Sequence, residues 1–330
     1  MSDVFVPMDN AAALRVGLTS TPKYLPVWYR YDKAGSVFND RCLSDNTYYY
    51  FYRSEISTLS ANIEEILQDV SEVPTLVDMG SGNSEKTRGF IDALLTKYKS
   101  VTYIPVDISK EFLAETSDQL FGIYGNKLCI KSIPGDYDVG IERLRDMPGV
   151  KVIMWLGGGF QNQKYQDQIR RLKLLSNVMT DRCRLIISLD ITQNKEQIEN
   201  AYLDPTGISA DLYLNAITRL NREFGCSINK DTLNLEAEYI HNDNHKETSF
   251  VTLYGISKEN QLHHIPGLGI TLNLAKDDRL YFHEGKGVSC KYNVDQIRTL
   301  ALCAGLYLEN HWTDTNQHVA VCYFSTQKTK

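Results

Sequence analysis

The sequence predicts an α/β protein on a doubly wound, Rossmann-like sheet, with a second unit assembled from separate stretches of chain. Three observations predict it. From about Thr75 to Asp190, short β-rich runs alternate with helical stretches, the pattern of a parallel sheet covered on both faces. The first strand units, TLVDMG, VTYIPVD and the one closing in PGDY, finish in or beside glycine or an acid. Those residue types serve ligands at the carboxyl edge of such a sheet. The flanks have another texture, rich in proline, tyrosine and charge over residues 1–62 and mixed over 196–285.

The elements follow in order. TLVDMG is a strand ending in Gly80, and SEKTRGFIDALLTKY has helical periodicity. VTYIPVD is the next strand, SKEFLAETSDQLF the next helix, and LCIKSIPGDY a third strand unit. KVIMWLG is a buried strand, followed by a helix through Arg170 and Leu175 and by RLIISLD, a strand ending at Asp190. Right-handed crossovers make this a doubly wound arrangement. NVDQIRTLALCAG reads as a helix stopped by Gly305. YLENHW and HVAVCYFS close the sheet as a hairpin. Residues 63–195 plus 286–330 are expected to form the sheet domain. Residues 1–62 plus 196–285 form the other, with a helix from Ala210 to Phe224 and strands EAEYIH and TSFVTLYGI.

Composition limits the function. The 330 residues are 42% hydrophobic, with a net charge of -6 and a pI near 5.7. That balance argues against a nucleic-acid surface. The seven cysteines, Cys42, Cys129, Cys183, Cys226, Cys290, Cys303 and Cys322, form no CxxC pair. Such spacing fits reduced thiols in a cytoplasmic protein and no structural metal. No signal-peptide pattern opens the chain, and no run is long and apolar enough to span a membrane. Twenty tyrosines fit either an ordinary aromatic core or a pocket lined by phenols.

The strongest chemical signal is LVDMGSGNSEKTRGFID. Gly80 and Gly82 permit a tight turn and close approach of a ligand to the backbone. A third glycine is missing, so the dinucleotide fingerprint is incomplete, and the run is no phosphate-cradling GxxxxGK[ST]. That favours a methyl sulfonium donor over a dinucleotide. A turn without a ligand is the plain alternative. Asp107 ends the second strand, where an acid accepts ribose hydroxyls; capping the next helix is its other reading. Asp136 suits an adenine amino group and Tyr137 the ring, unless Gly135–Asp136 is only a turn. Asp78 either faces the donor's cationic end or orients the glycine loop.

These residues resemble the histidine N-alpha-methyltransferase family of ergothioneine biosynthesis, with its fungal relatives that N-methylate prenylated tryptophan. LRVGLTSTPKYLP, YDKAGSVFNDRC, YYYFYRSE, MGSGNSEKTRGFIDAL, IPVDIS, PGDY and VSCKY carry the likeness over nearly the whole chain. The resemblance implies a doubly wound S-adenosylmethionine-dependent methyltransferase fold with a discontinuous substrate domain. It also implies a chain that acts alone, needs no metal, and methylates the α-amino nitrogen of a small amino-acid-like molecule. S-adenosylmethionine is then the cofactor and S-adenosylhomocysteine its product. The donor residues carried over are Gly80, Ser81, Gly82, Lys86, Asp107, Asp136 and Tyr137. The acceptor residues are Asn162, Tyr202 and Tyr49 or Tyr50, with Phe250 or Val251, Gly287 and Ser289 around the side chain. Phe51, with Tyr49 and Tyr50, is expected to wall the gap that the methyl group crosses; ordinary packing is the other reading of these rings.

One departure bears on the acceptor. The family's E-x-S-x-K reads G-V-S-C-K here, so Gly287 replaces a glutamate that grips imidazole. The expected acceptor is therefore aromatic or tryptophan-derived, with Glu284 as the residue that would restore histidine. Histidine N-alpha-methylation and a nucleotide-dependent oxidoreductase are the alternatives. His241, His245, His263 and His264 read as surface residues, the last two in a loop. His283 is a candidate base near the acceptor.

Overall fold

The computed structural model describes residues 10–327 except Ser71, His245, Lys246 and Lys286. In chain order come α1 (Asn10–Thr19), β1 (Lys23–Tyr24), α2 (Lys33–Ser44), α3 (Tyr50–Ile66), β2 (Thr75–Met79), α4 (Glu85–Lys97) and β3 (Val101–Asp107). Then come α5 (Lys110–Tyr124), β4 (Leu128–Ile130), β5 (Ile133–Pro134), α6 (Tyr137–Arg145), β6 (Lys151–Trp155), α7 (Tyr165–Val178) and β7 (Arg184–Asp190). The remainder is α8 (Lys195–Tyr202), α9 (Ile208–Phe224), β8 (Leu233–Ile240), β9 (Ser249–Ser257), β10 (Gln261–Ile265), β11 (Ile270–Leu274), β12 (Arg279–Tyr281), β13 (Val288–Lys291), α10 (Val294–Cys303), β14 (Tyr307–Thr313) and β15 (Val319–Ser325). No described helix is long and apolar enough to cross a membrane.

The chain divides into two compact units. The sheet unit comprises Phe51–Thr192, Asn242–Thr248 and Cys290 onward. Its eight-stranded sheet has the order β14-β15-β7-β6-β2-β3-β4, with β5 also on β3. The strands β2, β3, β4, β6 and β7 pair in parallel. The antiparallel pair β14 and β15 closes one end. This is the Rossmann-like winding with an antiparallel hairpin beyond the fifth parallel strand, and its direction reverses between β2 and β6. β2, β3, β6, β7 and β15 are largely buried along their length, so they read as near-continuous apolar runs. Val77, Ile104, Trp155, Ile187 and Phe324 belong to one core. The third strand unit is two short strands, β4 and β5.

The other unit holds the described residues through Tyr50, Gln193–His241 and Ser249–Ser289. Its sheet runs β1-β12-β9-β13, with β8 on β9. Leu14, Leu18, Leu212, Leu220, Leu253 and Leu280 share its core. His263 and His264 lie on β10, paired with β11, rather than in a loop. His263 is half-buried and bonds Gln261 through Nε2 at 2.9 Å, while His264 and His241 are exposed; His245 lies outside the described residues.

The boundaries differ from those read in the sequence. Residues 51–62 go with the sheet unit, because α3 is one continuous helix from Tyr50 to Ile66. Residues 242–248 also go with the sheet unit. There Gln296 Nε2 donates to the carbonyls of Asn242, Asn244 and Glu247 at 3.2, 3.2 and 2.8 Å. At the other end the division falls within β13, between Ser289 and Cys290.

Candidate active site

The glycine loop is held at the carboxyl end of β2 by its own backbone. Gly80 and Ser81 donate their N–H groups to Val106 O at 2.8 and 3.1 Å. Gly80 and Gly82 take φ of +80° and +52°, a region that glycine enters without a Cβ penalty. Asp78 faces inward and is fully buried. Its Oδ2 accepts from Thr87 Oγ1 and, at 3.1 Å, from Tyr103 OH. Burial pushes its pKa up to about 6 against the pull of those donors. Asp78 therefore orients the loop and the start of α4.

Asp107 closes over the same loop. Its Oδ2 accepts Gly82 N–H at 3.0 Å and its Oδ1 accepts Ser109 N–H at 2.9 Å. Asp136 caps α6 by accepting Val139 N–H at 2.9 Å, a common N-cap arrangement. The Tyr137 ring rests on Trp155 at 4.6 Å, with Arg171 5.6 Å from its centre. A Cβ on Gly80 would stand 3.2 Å from the Tyr137 hydroxyl, and one on Gly159 would overlap it. Both glycines make room for that phenol.

Lys86 has a partner that the sequence reading missed. Its Nζ lies 2.9 Å from Glu55 Oε2, and Glu55 is fully buried. The other carboxylate oxygen accepts Gly157 N–H at 2.6 Å. One buried acid thus ties α4, which follows β2, to the loop that follows β6. These are the two strands between which the winding reverses. The only sequence signal was the final residue of YYYFYRSE.

Asn162 follows in the same loop, its N–H on Gly158 O at 3.0 Å. Its side-chain Nδ2 would come within 3.3 Å of a Cβ on Gly158. Gln161 is buried. It accepts Asp190 N–H at 2.9 Å on its side chain and Cys290 N–H at 2.8 Å on its carbonyl. Gln161 thus braces two strand ends.

In the other unit the Tyr202 hydroxyl donates to Ser289 Oγ. Ser289 is buried and takes φ of +51°. Gly287, Phe250 and Val251 also come together, but not around a vacancy. A Cβ on Gly287 would overlap the Phe250 ring and stand 2.7 Å from Val251 O. The Phe250 ring fills the space beside Gly287. Glu284 accepts Val27 N–H at 3.1 Å, so its carboxylate is engaged there. His283 is fully buried. Its Nε2 accepts Leu253 N–H at 3.1 Å, and Nδ1 lies 3.4 Å from Glu284 O. Burial pulls its pKa down to about 4. It is a neutral structural residue and not a base.

Tyr49 precedes α3, its N–H on Asn46 O at 3.2 Å. Tyr50 is buried. Phe51, in the sheet unit, is also buried, at 2% exposure.

The donor edge passes a test of fit for a nucleoside with an amino-acid tail. Ser81 Oγ is buried without a partner, a group that carries an unmet hydrogen bond. A Cβ on Gly82 would meet nothing within 4 Å, so the loop is open on that side. Asp107 stands at the strand end that serves ribose.

Comparison with known proteins identifies the group. Residues 10–326 match the family described as histidine-specific methyltransferase, SAM-dependent. The histidine N-alpha-methyltransferase of Mycobacterium tuberculosis is 27% identical over 300 residues, covering 90% of this chain and 89% of the relative. That of Mycolicibacterium smegmatis is 25% identical over 317 residues, covering 94% of each. The 4-dimethylallyltryptophan N-methyltransferase easF of Claviceps purpurea is 24% identical over 327 residues, covering 92% and 91%. The match sets aside a nucleotide-dependent oxidoreductase. The chain belongs to this methyltransferase family and is an enzyme that uses S-adenosylmethionine.

Proposed function

We propose that the enzyme methylates the α-amino nitrogen of an amino-acid acceptor whose side chain is aromatic, tryptophan-derived in kind. The observation that carries this reading is the Phe250 ring packed on Gly287. An apolar ring stands where the histidine-acting pattern has an acid, and Glu284 is held by Val27 N–H. A relative whose name specifies 4-dimethylallyltryptophan supports the same acceptor class. Relatives named for histidine support the alternative.

Gly80, Ser81, Gly82 and Asp107 hold the donor, with Asp136 at the adenine end and Tyr137 keeping the loop in shape. Lys86 acts through Glu55 by fixing the Gly157 loop. The donor supplies an electrophilic methyl group on a sulfonium. Asn162, Tyr202 and the Tyr49–Tyr50 pair orient the acceptor's amine and carboxylate. The amine attacks as the neutral base, so the protein needs alignment more than acid–base chemistry, and alignment contributes up to ~7 to 11 kcal/mol.

Mass spectrometry of the enzyme with S-adenosylmethionine tests the reading. The kcat/KM values for histidine, tryptophan and 4-substituted tryptophans are compared. An aromatic acceptor is expected to lead. Histidine ahead by about tenfold, or roughly 1.4 kcal/mol, would replace the aromatic reading with the histidine one.

A further inference from the structure

Arg30 ends the short helical turn Val27–Arg30, within the run VWYRYD. Its side chain is 5% exposed. A guanidinium stays charged under any condition the fold survives, and a buried charge without compensation is strongly unfavourable. The compensation here is incomplete. The guanidinium lies 5.2 Å from the centre of the Tyr31 ring and 5.1 Å from that of Tyr213. Yet Nε and Nη1 have no partner.

The acids of neighbouring segments are already engaged. Asp32 is taken by Arg222, Gly35 N–H and Asn215. Glu223 is taken by Arg219 and Tyr29. Asp204 accepts from Thr206, Ile208 N–H and Ser209 N–H. What surrounds Arg30 is neutral: the phenols of Tyr31, Tyr213 and Tyr202, the Cys42 thiol, and the His283 imidazole. Tyr202 is the residue that the resemblance assigns to the acceptor, and its hydroxyl reaches Ser289.

We propose that Arg30 is the anion receptor of the acceptor site, donating from its two unpartnered nitrogens to the α-carboxylate of the molecule that is methylated. The proposal rests on the amino-acid reading above. Two ring faces favour a cation but accept none of its N–H bonds, whereas a carboxylate supplies both charge and acceptors. The protein's own carboxylates are spoken for, so the missing counterion arrives with the ligand. An amine without a carboxylate would leave the guanidinium as it stands.

The test compares the parent protein with Arg30→Met and Arg30→Lys, each loaded with S-adenosylhomocysteine. Calorimetry measures binding of tryptophan, tryptamine, histidine and histamine. Arg30→Met is expected to weaken the amino acid that binds by about ten- to a hundredfold, the size of a lost bond to a charged group. The matching decarboxylated amine is expected to bind as before, and Arg30→Lys to recover part of the loss. This contrast decides the matter. Equal losses for acid and amine make Arg30 a prop for the two tyrosines and overturn the proposal, as does an unchanged affinity for the acid. Failure of the amino-acid reading has a different signature: supplied with S-adenosylmethionine in place of S-adenosylhomocysteine, the parent protein transfers a methyl group to none of the four amines. Arg30 is then judged on indole-3-acetate and imidazole-4-acetate, which keep the acid and lack the amine. Binding that disappears in Arg30→Met supports the receptor; no binding, or binding that survives, overturns it.

Discussion

The ring of Phe250 occupies the space that any side chain at Gly287 would need, with the carbonyl of Val251 closing the same space at 2.7 Å. A change at 287 alone is therefore a packing change before it is a change of specificity. Gly287→Ala is expected to destabilise the fold by about 1–3 kcal/mol, the range for overpacking. Phe250→Ala in the same chain should return part of that, because the ring can retreat while the Val251 backbone cannot. Urea denaturation of the two single variants and the double variant measures the coupling. Strictly additive losses would mean that Phe250 is not what fills the site.

Asp107 joins the glycine loop to the expected ribose position. Asp107→Ala should weaken S-adenosylmethionine binding by about tenfold or more. That corresponds to roughly 2 kcal/mol for charge-assisted hydrogen bonds, with a further effect through Gly82 N–H. Calorimetry with the purified variant is the check. An unchanged dissociation constant would remove Asp107 from the donor site.

Asn162 should behave in the opposite way. The Asn162→Ala variant is expected to bind the donor nearly as the parent does, yet to lose most of its transfer rate. Donor affinity and kcat/KM for the acceptor are measured side by side. Parallel losses would show that the residue shapes the donor loop instead.

His283 makes stability depend on acid. In the fold its pKa is depressed to about 4 from an ordinary 6.5, so the unfolded chain binds the proton more tightly. Its contribution is present above pH 6.5 and is lost as pH falls toward 4, by roughly 3 kcal/mol in all. Asp78 works in the other direction. Its pKa is raised from 3.8 to about 6, so its contribution is lost as pH rises through that window. Comparing parent with His283→Gln isolates the histidine. The stability gap between them should be widest near pH 7 and narrow toward pH 4.5, read from urea melts at each pH. A constant gap would mean that the imidazole is not held neutral.

The course of the sheet was legible because buried parallel strands must be apolar along their whole length, and KVIMW and RLIISLD announce themselves. The loop at Gly80 and Gly82 was legible because a tight turn with positive φ favours glycine. The acids at 107 and 136 were visible because they end strand units. The acceptor side was less so. The likeness to a family pointed to Tyr202 and Ser289 separately, but only folding joins them across 87 positions.

What the sequence alone determined, then, is the winding of the sheet and the chemistry at its carboxyl edge, both consequences of local pattern. Tertiary structure decided the rest. Glu55 meets Gly157 across 102 positions, Phe250 fills the space beside Gly287, and His283 is enclosed and neutral. Arg30 is left with two donors and no acid. None of these has a periodic or spacing signal. Each depends on which groups share a small volume after distant segments pack, and on whether the hydrogen bonds there are met from within the chain.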